Sequence, residues 1–134
     1  GSGEDIPDAF SDRNGSHQTS LGLFLTDITY EGGNGYSLKL QGLSRGFNES
    51  AMERLIVMHG APYVDPAAAQ KLGRLGRSYG CPAVRTAVAQ PMIDTLKQGQ
   101  FIYAYGPGTA QLSACKTENL SLAHLAPALK PIKG

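Results

Sequence analysis

The chain has 134 residues, enough for one domain and too few for two ordinary ones. Its hydrophobic share of 41% supports a core without metal or disulfide staples, and a formal net charge of +1 supplies no long-range attraction to nucleic acid or anionic membrane. No apolar run approaches the roughly 20 residues of a membrane helix, so the composition reads as a water-soluble globular domain.

The first ten residues, GSGEDIPDAF, lack the charged and apolar regions of a signal peptide and carry no initiator Met. They fit a tag remnant or the middle of a longer precursor. Seventeen glycines and eight prolines, spread along the chain, predict many short elements joined by turns. Residues 3–19 are polar and turn-rich. Ser20–Thr26 (SLGLFLT) predicts a short buried strand, and the alternation in Tyr36–Gln41 (YSLKLQ) predicts a half-buried one. Between them, Glu31-Gly32-Gly33-Asn34-Gly35 supplies residues that tolerate the positive φ of a hairpin loop.

Ser50-Ala51-Met52-Glu53 has capping-box spacing and predicts a helical turn or two before Arg54. Leu55–Met58 then predicts a core strand that delivers His59 at its end. Asp65, as N-cap, and Pro66, at the first helical position, predict a short helix through Leu72. Residues 84–98 carry the best helical period, with Pro91 expected to restart the helix at its own first turn. Phe101–Tyr105 (FIYAY) predicts a final strand, closed by Gly106-Pro107-Gly108. The tail, 109–134, is rich in Ala, Leu and Pro, and its role is open. The expected class is a mostly β single domain over residues 1–134, with a few short helices.

The chemistry concentrates in Gly73–Val84 (GRLGRSYGCPAV), where glycines and a serine surround one thiol. This is loop composition, and loops on a rigid scaffold commonly carry reactive groups. A free cysteine has a pKa of about 8.5, so only a few per cent is thiolate near neutrality unless an imidazole or positive charge intervenes. Of His17, His59 and His124, His59 is best placed, because a strand end holds it rigidly. Arg74 and Arg77 flank the thiol and are candidates to favour the thiolate or grip a carboxylate, or are simply solvated. Cys81 and Cys115 fit either a disulfide or one reactive thiol beside a bystander. No metal-ligand spacing is visible, and the glycines lack the Gly-Lys-Ser/Thr ending of a phosphate loop.

His59-Gly60 followed by Ser78-Tyr79-Gly80-Cys81 resembles the H-G … S-x-G-C signature of YkuD-type L,D-transpeptidase catalytic domains. The strings GSHQTSLG (15–22), NGYSLKLQGL (34–43), IVMHGAPYV (56–64) and GRLGRSYGCPAV (73–84) are similar to the murein L,D-transpeptidase subfamily in particular. Two departures stand out. Many members carry a second histidine directly before the Gly-Cys pair, where this chain has Tyr79. Two residues after the nucleophile, an Arg or Asn is common, and here Ala83 stands. The family's opening strands are also not visible ahead of residue 15.

The resemblance implies an L,D-transpeptidase catalytic fold, a mixed β-sheet sandwich or barrel. It implies that Cys81 attacks the L-centre carbonyl of a peptidoglycan tetrapeptide stem and releases D-Ala. An amine acceptor then gives a 3→3 cross-link, and water would make the protein an L,D-carboxypeptidase instead. A third reading, a non-catalytic wall-binding module, is disfavoured by the presence of both Cys81 and His59. Carried over, His59 is the base and the Gly60 carbonyl orients it. Backbone N–H groups of Gly80 and Cys81, with Tyr79, serve the oxyanion. Ser78 either steadies the loop or touches substrate, and Tyr79 either covers the site or packs. Tyr36 and Tyr63 read as scaffold, and His17 as surface. The implied partners are peptidoglycan stem peptides, with no cofactor, no nucleic acid and no membrane-spanning segment. The implied location is the bacterial periplasm or cell envelope, and the implied inhibitors are β-lactams of the carbapenem type, acylating Cys81.

Overall fold

A computed structural model describes residues 9–107. Its frame is one mixed five-stranded sheet: β1 (Gly22–Gly32), β2 (Gly35–Gly42), β3 (Val57–Gly60), β4 (Ala83–Val84) and β5 (Phe101–Ala104). The spatial order is β4-β3-β2-β1-β5. All neighbours are antiparallel except β3 and β4, which run parallel. Two helices accompany the sheet, α1 (Pro66–Leu72) and α2 (Thr86–Leu96), with a 3-10 turn at Pro62–Val64. The expected mostly β class is the observed one. The tail from 109 onward lies outside the described residues.

β1 and β2 form a hairpin whose last pair is Gly32 with Gly35. Of the glycine-rich run between the strands only Gly35 uses a positive φ, at 76°. Each strand is longer than its apolar run, because cross-strand pairing continues through the polar residues Thr29 to Glu31. A register shift between Thr26 and Thr29 marks a bulge, and the Asp27 side chain fills it. Its carboxylate accepts from the Ile28 amide at 2.8 Å and from Gln41 at 2.7 Å.

The core lies on one face, where Phe24, Leu38, Leu40, Ile56 and Met58 meet Ile93 of α2. Full burial of each such side chain is worth roughly 1.5–3 kcal/mol. Alternation along β2 and β3 therefore puts Ser37, Lys39, Val57 and His59 on the opposite face, in the pairs Ser37–His59 and Lys39–Val57.

Three local expectations are corrected. Leu55 is not in the strand: its φ is 57°, and Ile56 closes the preceding turn by donating to the Ala51 carbonyl at 2.9 Å. The capping box does not form, because Asp12 takes the Ser50 amide at 2.7 Å; what remains are turn bonds, among them Arg54 N–H to the Ser50 carbonyl at 2.9 Å and Leu55 N–H to the Met52 carbonyl at 3.1 Å. Pro91 does not restart the helix but sits inside a continuous α2. The bond it removes would have ended on the carbonyl of Ala87, an exposed residue, while Ala89 and Ile93 stay buried against the sheet. Packing outweighs a penalty of about 3 kcal/mol. α1 occupies the expected residues with Asp65 as N-cap, although the Asp65 side chain makes no capping bond.

Candidate active site

His59 lies on β3, paired with Ser37 on one side and Ala83 on the other. It is only 3% exposed. Its Nδ1 is 3.0 Å from the Gly60 carbonyl. A carbonyl can only accept, so this bond requires a proton on Nδ1, and in a neutral ring the lone pair is then on Nε2. Gly60 itself has no room for a side chain: a Cβ there would lie 2.8 Å from Cβ of Ala89, so α2 packs directly on the strand end.

Cys81 enters through β4. His59 N–H donates to the Pro82 carbonyl at 3.2 Å, and Ala61 N–H to the Val84 carbonyl at 2.9 Å. Pro82, which has no N–H to offer, stands at the start of an edge strand, where none is needed. The thiol therefore sits two residues ahead of the His59–Ala83 pair. It is free and partly buried. No hydrogen bond among the described residues joins it to His59; Sγ donates instead to the Leu55 carbonyl, at 3.7 Å.

The loop before Cys81 is held by turn chemistry. Ser78 Oγ donates to the Cys81 carbonyl at 2.6 Å and accepts from the Gly80 amide at 3.2 Å. The Gly80 N–H is thus already engaged, whereas the Cys81 N–H has no partner among the described residues. Gly80 takes a φ of 105°, and a Cβ there would lie 2.6 Å from the Gln18 carbonyl oxygen and 3.3 Å from Nη2 of Arg54. Only glycine fits. Tyr79 is exposed, and its ring meets that of His17 at 4.5 Å between centroids. Arg74 is exposed and bonds its neighbour's carbonyl, at 3.4 Å. Arg77 is exposed and already partnered. Cys115 and His124 lie outside the described residues.

Three residues escaped the sequence reading. Arg54, whose side chain is 4% exposed, anchors the opening segment beneath the loop: it donates to the carbonyls of Ser11 (2.8 Å) and Gln18 (2.7 Å) and to the hydroxyls of Ser16 and Ser20. Asp12 approaches the same guanidinium at 3.5 Å. Leu55 touches the thiol through its backbone. Tyr63, read as scaffold, packs on Gly76 and also lies within electrostatic reach of Cys81: burial pushes its phenol above the usual range, and the Cys81 thiolate adds to the shift. An arginine just after a predicted helical turn and a leucine in an apolar run carry no local signal of such roles.

A thiol and an imidazole stand near the parallel edge of a mixed sheet, with a glycine-tight turn before the thiol. A family model described as the L,D-transpeptidase catalytic domain matches residues 1–105. The chain belongs to that family. No curated protein and no solved structure gives a significant match. No helix among the described residues is long and apolar enough to cross a membrane.

Proposed function

We propose that this domain is a peptidoglycan L,D-transpeptidase working in the periplasm or cell envelope. The observation that carries the reading is the His59 arrangement: Nδ1 committed to the Gly60 carbonyl, Nε2 left basic, on a strand tied to the segment bearing Cys81.

In the first half-reaction the Cys81 proton passes to Nε2 of His59. The thiolate attacks the L-centre carbonyl of diaminopimelate in a tetrapeptide stem. A C–S bond forms, the amide C–N bond to D-Ala breaks, and His59 returns the proton to the leaving amine. In the second, an acceptor amine gives its proton to His59 and attacks the thioester. The new C–N bond makes the 3→3 cross-link, and the thiol is restored. The Cys81 N–H, with that of Tyr79, is the available oxyanion donor; the Gly80 N–H reaches it only by leaving Ser78. The thiol must also leave the Leu55 carbonyl, which accepts a proton-bearing sulfur and offers nothing to a thiolate. Arg74 and Arg77 enter as substrate-gripping residues only if the loop brings them inward.

The test is incubation with purified disaccharide-tetrapeptide, read by mass spectrometry. Cross-linked dimers are expected from the native chain and none from Cys81→Ala. His59→Gln should slow turnover by roughly 10²–10⁴-fold. Tripeptide without dimers would replace transpeptidation by carboxypeptidation. An untouched substrate with folded protein would sink both. Acylation of Cys81 by a carbapenem is a separate check, and an unchanged intact mass would count against a reactive thiol.

A further inference from the structure

The sheet face that carries His59 also holds a cavity of about 340 Å³, lined by Tyr30, Lys39, Met52, Leu55, Ile56 and Val57. Its size falls in the range of small-ligand sites and suits one or two amino-acid residues. Three features give it a chemical character. Leu55 is 76% exposed and held at a φ of 57°, although neither packing nor backbone preference favours leucine there. Such strain tends to collect at functional sites. The carbonyl of this same residue receives the Cys81 thiol, so Leu55 links the cavity to Cys81, which is not itself among the lining residues.

The second feature is the apolar rim, in which Tyr30 and Met52 are exposed beside Leu55. The third is Lys39. Its ammonium stands 5.5 Å from the centroid of the Tyr30 ring, and no described carboxylate pairs with it. A cation at an apolar cavity, beside an aromatic ring and with no carboxylate paired to it among the described residues, is suited to an incoming carboxylate.

We propose that this cavity is a substrate subsite for the C-terminal residue of a short peptide. Lys39 pairs with the terminal carboxylate, Tyr30 and Met52 take the small apolar side chain, and Leu55 sets the path to Cys81. The proposal rests on the reading of Cys81 as nucleophile and deepens it: the carboxylate is that of the donor's departing D-Ala.

The test uses the full chain bearing Cys81→Ala, which cannot turn over, titrated calorimetrically with the tetrapeptide acid and its C-terminal amide. The acid is expected to bind roughly tenfold more tightly than the amide. Lys39→Met should weaken the acid by a similar factor and leave the amide unchanged, while Leu55→Ala should weaken both. Circular dichroism checks that each variant is folded. A preference for the acid that survives Lys39→Met overturns the assignment, as does folded protein that binds neither peptide. The two readings fail separately. Turnover with an unaltered KM in Lys39→Met would remove the subsite and keep the nucleophile. A Lys39-dependent preference in a protein that makes no product would keep the subsite and remove the nucleophile.

Discussion

His59 and Cys81 are held by opposite means. His59 is a strand residue, paired on both sides, 3% exposed, with its ring fastened to the next carbonyl. Cys81 hangs between an irregular loop and a two-residue edge strand, and its position depends on side chains remote in sequence. A ladder of backbone bonds is robust to single substitutions, because each side chain contributes little to it. A loop braced by Arg54, Ser78 and a glycine without space for a methyl is not. His59 belongs to the fold, and Cys81 belongs to its braces.

The largest expected effect is at Arg54. Arg54→Met leaves Asp12 and two carbonyls without their buried partner and should cost about 3–5 kcal/mol. For a domain of this size that lowers Tm by more than about 10 °C. Arg54→Lys should recover only part of it, since one ammonium cannot span the carbonyls of Ser11 and Gln18 and two hydroxyls. If Arg54→Met melted like the native chain, the brace would be no brace.

Gly80→Ala comes next. The left-handed φ and the 2.6 Å approach to the Gln18 carbonyl should together cost about 1–3 kcal/mol. The sharper readout is the alkylation rate of Cys81, which should change while hydrogen exchange at His59 stays as it was. Equal loss of protection in β3 would mean that strand and loop open together, and the contrast would collapse.

Ser78→Ala should cost about 1 kcal/mol, because it releases the Cys81 carbonyl and frees the Gly80 amide. Denaturant midpoints measure the loss. If the freed amide serves the oxyanion, turnover should fall less than stability alone suggests.

The smallest effect is the titration of Tyr63, followed by absorbance at 295 nm. Its pKa is raised first by burial and then by Cys81, so Cys81→Ala should bring it down part of the way. The sign for stability follows: a folded pKa above the unfolded one contributes stability present below about pH 10 and lost as pH rises through the folded value. An unmoved titration in Cys81→Ala would place the thiol farther from Tyr63 than the loop geometry has it.

Much of this protein is legible in its residues taken in order. The strands expected at Ser20–Thr26, Tyr36–Gln41 and Phe101–Tyr105 overlap the observed Gly22–Gly32, Gly35–Gly42 and Phe101–Ala104, and they and the helix at Pro66–Leu72 follow from local alternation, turn residues and caps, which act over a few positions. The motif residues around His59 and Cys81 are equally visible, because their identity is a local pattern. What only the tertiary structure decided is of longer range. Asp12 displaced a capping box from Ser50, sheet packing carried α2 through Pro91, and a closed turn expelled Leu55 from its strand. Arg54 reached the opening segment, Leu55 the Cys81 thiol and Lys39 the Tyr30 ring through contacts between distant segments. A periodicity records which face a residue prefers. It does not record which distant donor reaches a given carbonyl first, and that competition arranges this site.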